Sequence, residues 1–331
     1  MRRSKCMALC AALLLTCLCG CGTNSALPAR YSVALITKST ETEFWLSAFA
    51  GAQAAATEYN LDLTITGPST EEDYETQNRM IGEAVEAGAD AIVFSAIDYE
   101  KNAAAIDAAA AAGVQIVSID SGVGSDQVRT YIGTDNYAAG QMAARAALER
   151  VEGPLCVGIV NYNEGTANGQ ERVQGAADAL AESGRAQIAD VITTLVDAPR
   201  AQTDTIALLL AHPEINVLMA FNEPTSVGSA QAVRVLNRSD DLFFVGFDSN
   251  VVTIDGLQEG WVDALVVQNP YAMGYLGVES AYRLLSGQGG TLQPVVDTST
   301  QIVDRQNLFT MDGQKALFAF DPYQDDRDLQ K

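Results

Sequence analysis

The residues of this chain that could do chemistry stand directly after apolar runs. They are Lys38-Ser39, Ser95-Ala96, Asp120-Ser121, Asn161 to Glu164, Asn222-Glu223, Asp248 and Gln268. Most are polar, uncharged or acidic, which suits hydrogen bonding to neutral hydroxyl groups better than cradling a phosphate. The chain has one histidine, His212, ahead of Pro213 where a loop turns, which argues against His-dependent triads and multi-histidine metal sites. Gly122-Val123-Gly124 lacks the third glycine of a dinucleotide fingerprint. Glu71-Glu72-Asp73 sits at a helix start, where the helix dipole accounts for it. Asp325-Asp326-Arg327-Asp328 has no calcium-loop spacing and reads as a solvated acidic end. No metal and no cofactor is expected. A glycosidase would need two carboxylates facing each other across a bond, and only Asp120 and Asp248 could serve.

The elements that position these residues recur in two series. Apolar, β-branched runs occur at Tyr31–Ile36, Leu61–Ile65, Ala91–Phe94, Val114–Ile119 and Thr130–Ile132. A second set follows at Leu155–Val160, Ile188–Leu195, Val217–Phe221, Phe243–Val245 and Leu265–Val267. Helical stripes lie between them, one through Trp45, Ala48, Phe49, Ala52, Ala55, Ala56 and Tyr59 and another through Met80, Ile81, Ala84, Val85 and Ala87. Ser69 with Glu72 predicts a capping box, and Pro224 predicts a helix begun near Asn222. Wholly apolar strands alternating with helices predict parallel sheets covered on both faces, here two doubly wound α/β lobes. Ligands of such sheets bind beyond the carboxyl ends of the strands, where the polar residues stand.

Composition narrows the function further. The chain has 331 residues and a formal charge of −22, with no basic stripe, which argues against a nucleic-acid partner. Hydrophobic residues make up 48% and charged residues 19%, enough apolar matter for two folded cores. Arg2, Arg3 and Lys5 precede an apolar run from Cys6 to Cys19, too short to span a bilayer and typical of an export signal. Leu18-Cys19-Gly20-Cys21 resembles the lipobox of bacterial lipoproteins, which implies cleavage before Cys21 and lipidation of its thiol. Residues 1–20 are then the signal and 21–30 a tether. Cys156 is left as a lone thiol in an apolar run, read as a buried strand residue.

Several motifs in order resemble one known family. They are Val33-Ala34-Leu35 leading to Phe44-Trp45, Ala89-Asp90-Ala91-Ile92, Ile119-Asp120 and Ile132-Gly133-Thr134-Asp135-Asn136. They continue with Gln170-Glu171-Arg172-Val173-Gln174-Gly175, Phe221-Asn222-Glu223, Val245-Gly246-Phe247-Asp248 and Val267-Gln268. Over about residues 31 to 303 the chain resembles the ribose- and galactose-type periplasmic binding proteins, the sugar-binding subunits of ABC importers. The resemblance implies two lobes closing over one sugar, with residues 31–135 plus 269–296 in the first and 136–268 plus 297–318 in the second. Three crossings would fall near Asp135, Gln268 and Asp297, and an acidic tail would span 319–331.

The resemblance also implies site roles. Phe44 and Trp45 would stack on the sugar faces, although Trp45 also falls on the apolar stripe of its helix. Asp120 would accept hydroxyl hydrogen bonds, and Arg172, Asn222, Asp248 and Gln268 would supply polar contacts from the second lobe and the hinge. Asn222 and Asp248 could equally cap the helices that follow them. Ser95 stands where the family often has asparagine, Ser121 where it often has arginine, and Ala198 where ribose binders carry an aromatic. Lys38 replaces a small polar residue and reads either as a solvated loop lysine or as the partner of an acidic group on the ligand. The implied protein is a monomeric, non-enzymatic, extracytoplasmic binding module serving a membrane ABC permease, or a sensor kinase using the same fold.

Overall fold

The structure, a computed structural model, describes residues 30–318; the signal, Cys21 and the acidic tail lie outside the described residues. Two six-stranded sheets share one plan. The first contains β1 (Ser32–Ile36), β2 (Asp62–Thr66), β3 (Ala91–Phe94), β4 (Gln115–Ile119), β5 (Val128–Gly133) and β11 (Val295–Asp297), in the order β11-β5-β4-β3-β1-β2. The second contains β6 (Leu155–Tyr162), β7 (Ala186–Thr194), β8 (Val217–Ala220), β9 (Phe243–Phe247), β10 (Ala264–Val267) and β12 (Gln301–Asp304), in the order β12-β10-β9-β8-β6-β7. All pairings are parallel except that of β10 with β12. Strand order reverses between β1 and β3 and between β6 and β8, and such a switch point opens a crevice at the strand ends.

Helices cover both faces of each sheet, as wholly apolar strands require. The first sheet packs α1 (Glu43–Glu58) and α9 (Pro270–Leu285) on one side, with α2 (Tyr74–Glu86) and α3 (Ala103–Ala111) on the other. The second packs α4 (Asn136–Arg150) and α5 (Ala167–Glu182) on one side. Its other face takes α6 (Ala198–Ala211), α7 (Glu223–Val235), α8 (Val251–Glu259) and the short α10 (Met311–Leu317). The chain therefore passes between lobes after β5, after β10 and between β11 and β12. Thr134 ties these passages together: its hydroxyl donates to Gln268 Oε1 at 2.9 Å and accepts from Thr300 at 3.3 Å.

Glycine pairs let the covering helices approach at backbone distance. A Cβ on Gly51 would overlap the Tyr271 carbonyl, and one on Gly274 the Ala48 carbonyl, where α1 crosses α9. In the second lobe Gly140 and Gly175 play the same part between α4 and α5, against the carbonyls of Arg172 and Tyr137.

Some local expectations change. The strands β11 and β12 escaped notice because they are three and four residues long and lie at sheet edges. The capping box at Ser69 and Glu72 does not form; α2 starts at Tyr74, where Asp73 Oδ1 accepts the Thr76 N–H at 2.8 Å. Asn222 does cap α7, with Thr225 reciprocating, but the cap of α8 is Asn250 rather than Asp248. Cys156 is only half-buried, because β6 pairs there with the exposed strand β7.

Candidate functional site

In the first lobe the site is built around Asp120, the residue after β4. Its backbone is left-handed, with φ 57°, and its N–H reaches the Ile132 carbonyl at 3.0 Å. This turn aims the carboxylate across the strand ends. Oδ2 accepts from Ser95 Oγ at 2.8 Å and pairs with Lys38 Nζ at 3.0 Å, while Oδ1 accepts from Asn168 Nδ2 at 3.2 Å. Lys38 has a second anionic neighbour, Glu71, at 3.6 Å, and Glu71 Oε1 accepts the indole N–H of Trp45 at 2.9 Å.

Two sequence readings are corrected here. Lys38 is 4% exposed, so it is not a solvated loop lysine; the acidic groups it meets are the protein's own Asp120 and Glu71. Glu71 is not a dipole-compensating residue of a helix start, since α2 begins three residues later and Glu71 is buried against Lys38 and Trp45. Burial opposes the charge on Lys38, but the carboxylates of Asp120 and Glu71 outweigh it and hold the ammonium protonated above its usual range. The same burial pushes the Glu71 carboxyl up, against the pull of Lys38 and the Trp45 hydrogen bond. The Lys38 ammonium also lies 5.9 Å from the Trp45 ring centre and 5.6 Å from that of Tyr162.

The second lobe repeats the device. Asp248 follows β9, the fourth strand of its sheet as β4 is of the first, and has φ 66°; its N–H reaches the Val266 carbonyl at 2.9 Å. Asp248 Oδ1 accepts from Gln268 Nε2 at 2.7 Å. Gln268 Oε1 in turn accepts from Arg172 Nη2 at 2.8 Å and from the hinge hydroxyl of Thr134. Arg172 is not an exposed helix cation paired to Glu171 or Asp178. It is 1% exposed, donates to Asn136 Oδ1 at 2.9 Å and to the Phe221 carbonyl at 2.5 Å, and covers the Phe247 ring at 4.6 Å. Burial pushes the Asp248 carboxyl up to about 7, with Arg172 and the Gln268 amide opposing.

The two lobes also touch directly around this centre. Glu223, at the start of α7, accepts the Phe44 N–H at 2.8 Å and the Glu43 N–H at 3.3 Å, and its Oε1 accepts from Asn250 Nδ2 at 2.9 Å. On the opposite rim Asn163 Nδ2 donates to the carbonyls of Glu71 and Ile97, Glu72 accepts the Val196 N–H, and Ser121 meets Thr166 at 3.0 Å.

Of the residues singled out in the sequence, Lys38, Phe44, Trp45, Asp120, Arg172, Asn222, Asp248 and Gln268 line one cleft between the lobes. Ser95 stands behind this lining and orients Asp120. Ala198 opens α6 outside the lining; the aromatic contributed by the second lobe is Tyr162, at the end of β6. Glu71 and Asn168 were missed as site residues, while Tyr162 and Glu223, placed at their strand ends by the sequence, had been given no role in the site. Asn168 could have been found from lying one turn before Arg172 on α5. Glu71 carried no local signal, because its role depends on β1 and α1. Among the described residues no cluster of His, Cys, Asp and Glu could hold a metal ion, and no helix is long and apolar enough to cross a membrane.

The arrangement can hold a small polyhydroxylated molecule. Carboxylates, an amide and a guanidinium converge on one point, with the aromatic rings of Phe44, Trp45 and Tyr162 beside them. Comparison with known proteins agrees with this shape. A family model described as periplasmic binding protein domain matches residues 33–289. A D-ribose/D-allose-binding protein of Pseudomonas aeruginosa is 26% identical over 286 residues, covering 83% of this chain and 89% of that protein. A solute-binding protein of an ABC transporter from Agrobacterium vitis, solved with bound D-fucose, superimposes with a TM-score of 0.84 at 28% identity, over 87% of this chain and 100% of that one. A second solute-binding protein, from Agrobacterium radiobacter with D-arabinose, gives 0.84 at 27% identity, over 88% and 99%. These relatives are sugar-binding transport proteins rather than enzymes.

Proposed function

The chain belongs to the periplasmic binding protein family, and from that premise we propose that it captures an uncharged sugar between its lobes and presents it to the permease of an ABC importer. The observation that carries the uncharged ligand is the pairing of the site's own cations. Lys38 is held by Asp120 and Glu71, and Arg172 is spent on Gln268, Asn136 and the Phe221 carbonyl. With Asp248 and Glu223 added, no cation is left over to neutralise a carboxylate or phosphate on the ligand, and burying such a group unpaired is costly. Hydroxyls, by contrast, can donate to Asp248 and Asp120 and accept from the amides.

The sugar would close the lobes by joining Asp120 on one to Asp248 and Gln268 on the other, since Gln268 also contacts the hinge through Thr134. Lipidation of Cys21 would tether this acidic body outside the cytoplasmic membrane, which its own charge keeps off anionic lipid. The test is a thermal-shift screen of purified protein against D-ribose, D-allose, D-fucose, D-arabinose and matching sugar acids and phosphates. Ligand at about 100 times its dissociation constant adds roughly 2.7 kcal/mol of stability. Neutral sugars should raise the melting temperature and anionic ones should not. A response to the acids or phosphates alone would overturn the charge argument. For the anchor, mass spectrometry of membrane-extracted protein should find a diacylglyceryl-modified Cys21 as the first residue.

A further inference from the structure

Free space in the cleft is unevenly divided. The polar seat among Lys38, Asp120, Asp248 and Arg172 leaves about 20 Å3, room for a water or two. Beyond a wall formed by Phe44, Asp248 and Gln268, which faces both spaces, lies a compartment of about 210 Å3. Its floor is α1 of the first lobe, at Ser47. Its roof is Val251 and Ile254 of α8 together with Leu317 and Phe318 at the end of α10. Ser249 Oγ donates to the Leu317 carbonyl at 3.2 Å and fixes the α10 end over the opening.

This compartment stays open although the lobes already touch through Glu223 and Phe44 on the same side of the cleft. The seat as it stands is too small for a sugar ring, so a sugar enters only as the lobes part, and the compartment beside it remains for whatever group the sugar carries. Its walls are mainly apolar, with two serine hydroxyls, while the carboxylates of Glu43 and Asp248 at its margin disfavour an anion. Resting on the reading of the seat as a sugar site, we propose that this compartment is a second subsite that takes the uncharged apolar aglycone of an alkyl or aryl glycoside, whose sugar sits among Asp120, Asp248 and Gln268.

The inference is tested by titrating purified protein with D-ribose, D-allose, D-fucose and D-arabinose, each as the free sugar, the methyl glycoside and the phenyl glycoside in both anomers. Burial of a phenyl ring predicts at least one phenyl glycoside binding about 10-fold or more tightly than its methyl counterpart. Ser47→Trp, which fills the compartment from α1, should bring that ratio towards one, judged against the free-sugar affinity of the same variant. If free sugars bind while phenyl glycosides gain nothing, or if Ser47→Trp leaves the ratio intact, the subsite is overturned and the sugar reading stands. If no free sugar or glycoside of the set binds, the sugar reading fails and the subsite falls with it.

Discussion

The carboxylate of Glu223, in the second lobe, caps the first lobe's helix α1 at the backbone N–H of Phe44, 2.8 Å away. Phe44 in turn lines the ligand cleft, so one bond links lobe contact to the shape of the site. A negative charge at a helix N-terminus is favourable, and a hydrogen bond to a charged group contributes roughly 1.5–3 kcal/mol. That gain exists only while the lobes touch.

Glu223→Gln should therefore weaken sugar binding by about 10-fold, within the range of one charged hydrogen bond. Each lobe keeps its own core, so far-UV circular dichroism should not change. Calorimetric titration together with small-angle scattering checks this: affinity should drop and the ligand-free protein should become more extended. An unchanged affinity and radius of gyration would rule out a latch.

Asp248 should make the protein pH-sensitive. Its folded-state pKa, about 7, lies above the ordinary value of 3.8, because burial disfavours the carboxylate. The folded form therefore binds more protons than the unfolded one between about pH 4 and 7, and this group's contribution to stability is lost as pH rises through that window. Sugar hydroxyls donate to the ionised form, so sugar affinity should rise from pH 6 to pH 8. Titrations in buffers of different ionisation enthalpy should detect proton release, and Asp248→Asn should abolish both effects.

Lys38→Met keeps the volume of the side chain but leaves the buried carboxylates of Asp120 and Glu71 without their cation. Removing one partner of a buried ion pair costs about 3–5 kcal/mol. Glu71, whose carboxyl burial already pushes up and Lys38 no longer holds down, should then take up a proton on folding, so the deficit should shrink between pH 8 and pH 5. Urea unfolding at both pH values measures this. An equal deficit at the two pH values would mean that Lys38 acts through packing alone.

Gly175→Ala places a methyl group against the Tyr137 carbonyl and must push α5 away from α4. Arg172 lies on α5 one turn before Gly175, so its three hydrogen bonds should be misaligned. A stability loss within the range of 1–3 kcal/mol typical of overpacking is expected. Sugar affinity should fall more than stability requires. The corresponding first-lobe variant, Gly274→Ala, pushes α9 from α1, which carries the cleft residues Phe44 and Trp45, so it too should lower both stability and affinity.

Much of this protein could be read along the chain because its strands are apolar throughout and its polar site residues directly follow them. That pattern is local: a buried parallel strand needs Val, Ile and Leu at every position, and the turn after it is where the chain can afford a carboxylate. Asp120, Asn222, Asp248 and Gln268 were visible for this reason, and so was the doubly wound α/β plan. The edge strands β11 and β12 were not, since three or four half-exposed residues carry no periodicity.

The tertiary structure decided what the local pattern left open. Whether Lys38 meets solvent, a ligand or the protein depends on Glu71 and Asp120, which are 33 and 82 positions away along the chain and reach it only when β1, α2 and β4 assemble. The roles of Glu223 and Tyr162 depend on the second lobe meeting the first. Burial then sets the chemistry, raising the carboxyl of Asp248, while Asp120 and Glu71 hold the ammonium of Lys38 against the same desolvation, which acts on a charge only after the surrounding chain has excluded water.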